Sequence, residues 1–119
     1  AVIDRGEAYF TNCIIYGNRS EEIEIDYAQG PSPDFNFAFT NCLIKVDTFS
    51  QRLFDCISNQ DPEFNDTQEY DYKIDTTASP ANNVGTANTI GGLGGPGRDA
   101  IGNFRDVNTP AIGAYAIPN

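Results

Sequence analysis

The 119-residue sequence contains no histidine, no methionine and no tryptophan, and only seven lysines and arginines stand against seventeen aspartates and glutamates. Each shortage excludes something. Without histidine the chain lacks the side chain whose ordinary pKa lies nearest neutrality, so Ser-His-Asp and Cys-His catalysis are excluded within it. A net charge of −10 offers no basic footprint for nucleic acid or an anionic membrane face. Solubility, cation binding or an extracellular setting account better for that acidity, with solvated acidic faces as the plain reading. No apolar run approaches the ~20 residues that a membrane helix needs, so no membrane insertion is expected. No signal peptide is legible. With no methionine to start translation, the expectation is an excised piece of a longer polypeptide.

Helix signals are also scarce. Apolar residues do not recur at three- and four-residue steps, and 11 glycines and 7 prolines punctuate the chain. The strand candidates are short: 8–16, 22–27, 36–46, 52–58 and 70–74. The three cysteines lack the paired spacing of a zinc site. Each lies in an apolar, β-branched phrase where a free thiol behaves as a small hydrophobe; one disulfide between neighbouring phrases is the competing reading.

What is present is a repeat. Phe10-Thr11-Asn12-Cys13-Ile14-Ile15 returns 29 residues later as Phe39-Thr40-Asn41-Cys42-Leu43-Ile44, and a looser copy, Leu53-Phe54-Asp55-Cys56-Ile57-Ser58, follows after a further 14. Spaced strand-like phrases predict stacked coils, each unable to bury its apolar face alone. Read as one strand, the first phrase sets Phe10, Asn12, Ile14 and Tyr16 on one face and Thr11, Cys13 and Ile15 on the other. Cys13 and Ile15 are expected to point inward, stacking with Cys42 and Ile44. The 29-residue interval implies an insertion at about 20–36, carrying a half-exposed strand that alternates acid and isoleucine.

The remainder has a different texture. It carries in order Asp61-Pro62-x-Phe64-x-Asp66, Asp71-Tyr72-x-Ile74, Ser79-Pro80-Ala81, Asp99-x-x-Gly102-x-x-Arg105 and Ile112-Gly113-Ala114-Tyr115. This ordered tail, with the Asn-Cys-Ile/Leu-Ile phrases before it, resembles the C-terminal region of bacterial right-handed parallel β-helix proteins. These are pectate-lyase-like surface or secreted proteins frequent in Bacteroidetes. The resemblance implies an all-β chain made of the last three to five coils and a C-terminal cap. Residues 1–75 would be coils and 76–119 the capping segment of the same domain, continuous with or packed on upstream coils. Two departures stand out: Ala116 occupies the place of a usual acid, and Asn82-Asn83-Val84-Gly85 stands where relatives usually read Ile-Asp-Ala-Gly. Roles of those acids in relatives do not transfer.

By the same resemblance the chain is expected to be secreted or held at the bacterial cell surface, as a non-catalytic part that binds polysaccharide or serves structurally. Two alternatives remain: the tail of a polysaccharide lyase or hydrolase whose active site lies upstream, and a purely structural cap or adhesin stalk. Exposed Tyr16, Tyr27, Tyr70 and Tyr72 are candidates for stacking on sugar faces, or for closing a core or strand edge. Lyases of this fold use calcium held by carboxylates, and Asp61, Glu63 and Asp66 are the candidate oxygens, in an acidic run that continues through Glu69, Asp71 and Asp75 around Lys73. Solvated turn caps are the competing reading of that run. In the tail, Arg105 is expected to pair with Asp99 or another acid, and Tyr115 to help close the cap. The glycine-rich run 91–97 lacks the Lys-Ser/Thr ending of a phosphate loop and reads as a flexible connection.

Overall fold

The computed structural model describes residues 6–24, 36–47, 50–86 and 97–117. Each of the three phrases folds as strand, corner, strand: β1 (Glu7–Thr11) and β2 (Ile14–Ile15), β3 (Asn36–Thr40) and β4 (Leu43–Ile44), β5 (Leu53–Phe54) and β6 (Ile57–Ser58). The strands form two parallel three-stranded sheets, ordered β1-β3-β5 and β2-β4-β6. Their register is that of the repeat: Phe10 pairs with Phe39, Ile14 with Leu43 and Ile15 with Ile44, and then Leu43 with Ile57. The only helical element among the described residues is a 3-10 turn at Ser50–Arg52, and no described helix is long and apolar enough to cross a membrane. The chain is all-β in class.

The corners explain why the phrases are not single strands. Asn12, Asn41 and Asp55 take φ of 59°, 52° and 52°, the left-handed region that Asn and Asp tolerate better than other side chains with a Cβ. A left-handed residue breaks the two-residue alternation and turns the chain. Phe37 and Phe39 before the corner, and Cys42, Ile44 and Val46 after it, therefore enter the same core. This corrects the continuous strands expected over 8–16 and 36–46, which would have set Phe10 and Cys13 on opposite faces. Cys13 and Ile15 do point into the core with Cys42 and Ile44. Phe10 stacks on Phe39 with ring centroids 5.1 Å apart. All three cysteines are free.

Sheet β2-β4-β6 is apolar on its other face as well, as parallel strands covered on both sides commonly are. There Ile14, Leu43 and Ile57 meet Ile74, Ala81, Ala111, Ile112 and Ile117 in a second core. The tail lies along this face and reaches the first phrase. Burial of the Ile14-Leu43-Ile57 row is what draws it there. Asn12 fastens it: Nδ2 donates to Thr86 O at 2.7 Å, Oδ1 accepts from Thr86 N at 2.8 Å, and its carbonyl accepts from Gly113 N at 2.8 Å. One rung below, Asn41 Nδ2 donates to Val84 O at 3.1 Å. Ser79 of the Ser-Pro-Ala motif is buried, its hydroxyl donating to Pro62 O at 2.6 Å.

Asn12→Ala therefore loses both the left-handed tolerance and two side-chain bonds to the tail. Urea denaturation is expected to show a stability loss of roughly 2 kcal/mol; a loss within error of zero would mean the corner does not anchor the tail.

Among the described residues, two expected strands are not seen. Residues 70–74 contribute only an isolated bridge between Asp66 and Asp71, because the chain there reverses in a tight turn rather than running beside a partner. In the acid-isoleucine stretch, the described residues Glu22–24 are irregular. Glu22 N still donates to Lys45 O at 3.0 Å and Ile23 still packs on the inner core. The rest of that stretch, including Tyr27, and the glycine run 91–96 lie outside the described residues.

Candidate functional site

Where the tail crosses the first phrase, the two surfaces do not meet fully, and a cavity of about 500 Å³ opens between them. The sheet supplies Asn12, Cys13, Ile14 and Tyr16; the tail supplies Phe64, Tyr72 and Ile74 from one segment and Ile112 to Tyr115 from another. No aspartate, glutamate, lysine or arginine lines it. Tyr16 leaves β2 one residue past Ile15, where the Lys45 ammonium sits 4.9 Å from its ring centroid. That lysine is held by its donation to Gly17 O at 3.0 Å, and a cation over an aromatic face helps fix the ring. Phe64 and Tyr72 meet edge to face, centroids 5.3 Å apart at 88°, an arrangement aromatic pairs prefer. Tyr72 remains 46% exposed, so one side of its ring is available.

The candidate tyrosines thus separate. Tyr16 and Tyr72 come together. Tyr70, with φ of 58° in the turn between Asp66 and Asp71, is 80% exposed and lies away from the cavity. Tyr27 lies outside the described residues. Tyr115, read from the sequence as part of a cap, lines the cavity instead, and Phe64 joins it. Neither ring's role was legible locally. The one available signal was their place in the ordered tail.

The acidic run does not form a cation cage. Asp61 Oδ1 accepts from Glu63 N at 2.8 Å, and Asp66 Oδ1 accepts from Gln68 N and Glu69 N at 3.1 and 3.2 Å. These carboxylates close their own turns, as short acidic side chains beside free backbone N–H groups do. Glu63 itself is exposed, and Lys73 lies 3.8 Å from Asp71 as an exposed ion pair. Among the described residues no three acidic or thiol groups are grouped so as to hold a metal ion.

Asp99 and Arg105 attract one another through space but make no direct ion pair. Asp99, only 9% exposed, has its oxygens occupied by Ile101 N and Asn103 N at 3.0 and 2.8 Å and by Ala116 N at 2.8 Å. Arg105 spreads its guanidinium over Ala111 O and Gly113 O at 2.9 and 2.8 Å. Both charges thus bind backbone groups that irregular chain leaves without sheet partners. Burial pushes the Asp99 carboxyl up, but the bonds from Ala116, Asn103 and Ile101, with the Arg105 charge, outweigh it and leave the carboxyl below its ordinary value.

A folded-state pKa below the unfolded one adds stability above about pH 4, where the unfolded carboxyl is ionised, and loses it as pH falls through the folded value. Melting temperatures of the native chain and Asp99→Asn are therefore expected to differ most above pH 4 and to converge toward pH 2. A gap independent of pH would contradict this origin of the stability.

No protein-family model, curated protein or solved structure matches the chain. The functional reading accordingly rests on the cavity and on the chemistry of its rings.

Proposed function

We propose that this chain is a non-catalytic, carbohydrate-binding part of a right-handed parallel β-helix protein that works outside a bacterial cell. One observation carries the binding reading: a cavity about 500 Å³ in volume where Tyr16, Tyr72, Tyr115 and Phe64 converge without an aspartate, glutamate, lysine or arginine. The C–H faces of a sugar ring stack on such aromatics, and the amide of Asn12 and the tyrosine hydroxyls suit sugar hydroxyls. The absence of carboxylates from this lining favours binding over hydrolysis by a carboxylate pair at this place.

The β-helix reading is supported by the constant order of the two sheets and by three corners stacked in register. Phe10 is stacked on Phe39 from one side and 41% exposed on the other, so the aromatic ladder is open toward further coils packed beside β1. In this reading the tail is the closing segment of the same domain.

A panel of immobilised neutral and acidic polysaccharides tests the proposal. The native chain is expected to retain at least one of them. Tyr72→Ala is expected to weaken that binding about threefold to tenfold through loss of one ring face, with only a small fall in melting temperature from the lost contact to Phe64. Binding to none would remove the proposal and leave the purely structural reading, in which Tyr72→Ala alters stability alone.

A further inference from the structure

Cys13 and Cys42 hold the same place in consecutive phrases. They lie between the paired rungs Thr11–Thr40 and Ile14–Leu43, and Leu43 N donates to Cys13 O at 2.9 Å. One inter-strand step separates them, so their Cα atoms are roughly 4.8 Å apart, inside the range a disulfide spans. Both side chains enter the inner core, where the Cys42 thiol lies 3.4 Å from Phe10 O, on the rung of Cys13. The two thiols differ in access. Cys42, in the middle phrase, is 1% exposed, whereas Cys13, in the phrase at the edge of both sheets, is only half-buried.

We propose that Cys13 and Cys42 are a reversible dithiol–disulfide pair, in which Cys13, half-buried at the open edge of the two sheets, reacts first and Cys42 resolves the product from the core. This is independent of the carbohydrate reading. The neighbouring Cys42 thiol lowers the Cys13 thiol to about 7, against the opposing effect of burial. The neighbouring Cys13 and its own burial push Cys42 up. The more accessible thiol is thus the one that ionises more readily, the division of roles that thiol–disulfide exchange requires.

The oxidant is a small disulfide of the glutathione class. Cys13 Sγ attacks one of its sulfurs, a new S–S bond forms, and one glutathione thiolate leaves. Cys42 then gives up its proton to solvent, and its Sγ attacks Cys13 Sγ, expelling the second glutathione thiolate. Two protein thiols are oxidised and one glutathione disulfide is reduced to two thiols. The product joins the first phrase to the second across the sheet.

Each cysteine lies in its own tryptic peptide, 6–19, 20–45 and 53–73, so the pairing can be read directly. The full chain is incubated with excess oxidised glutathione, alkylated, digested and analysed by mass spectrometry with and without reduction. The expected result is a linked pair of peptides 6–19 and 20–45 that separates on reduction, with Cys56 alkylated as a free thiol. Cys56→Ser is expected to give the same linkage, and Cys42→Ser to stop at one glutathione adduct on Cys13. Linkage of 20–45 to 53–73, adducts first on Cys56, or adducts on Cys13 that never resolve would each overturn the proposal. So would equal yield of the linkage in denaturing urea, which would owe nothing to the register.

Discussion

Replacing Leu43 with alanine is expected to lower stability by about 2–5 kcal/mol, the cost of emptying a large aliphatic site in a core that relaxes only partly. Leu43 is 0% exposed and sits in the middle strand of its sheet, between Ile14 on one rung and Ile57 on the other. Its side chain belongs to the core shared with the tail residues Ile74, Ala81 and Ile112. A hole there is bounded by backbone paired on both sides, so neighbouring strands cannot close over it. At about 4 °C per kcal/mol for a chain of this size, the melting temperature should fall far enough to be seen without ambiguity. Ile57→Ala, on the edge rung and only half-buried, should cost distinctly less. Equal losses at the two positions would contradict the placement of Leu43 at the centre.

Gly113→Val is expected to do comparable damage by a different route, costing about 3 kcal/mol or more. Gly113 has φ of 95°, a conformation that a β-branched residue adopts only under strain. A Cβ there would stand 2.7 Å from Ile14 Cδ1, so the added side chain also collides with the first rung. The two effects push in the same direction, lifting the tail from the sheet at the point where its N–H meets Asn12 O at 2.8 Å. Limited proteolysis should then cut the tail of the variant before the phrases, whereas the native chain resists. Because Gly113 also lines the cavity, carbohydrate binding should fall with tail docking. Unchanged proteolysis and melting would mean the tail does not lie where the geometry places it.

Much of the sheet arrangement was legible because the phrase repeats with its register intact. Phe10 with Phe39, Ile15 with Ile44, and the inward Cys13 and Cys42 follow from aligning the copies. The corner was not legible. Asn12 sits inside a run with strand composition, and only its left-handed backbone reveals that alternation restarts at Cys13. Asp99 and Arg105 suggested an ion pair because opposite charges are the simplest partners in a sequence. In an irregular tail, however, unpaired N–H and C=O groups compete for the same side chains, and here they take both. The cavity was the least accessible feature. Tyr16 and Tyr115 meet only because the tail returns across nearly the whole length of the chain, a path set by the apolar row Ile14-Leu43-Ile57 and not by any local periodicity. Tyr70 and Tyr72 are two residues apart and equivalent in the sequence, yet the turn after Asp66 sends one to solvent and the other to Phe64.

Six tyrosines and no tryptophan make the cavity directly observable by NMR of tyrosine ring resonances. The decisive titration adds soluble fragments of the polysaccharides in the panel to the full chain. Tyr16, Tyr72 and Tyr115 are predicted to shift together along one binding curve while Tyr70, exposed and away from the cavity, stays in place. No shift with any fragment, or shifts at Tyr70 and Tyr9 that equal those of the cavity rings, would contradict the assignment of this cavity as a carbohydrate site.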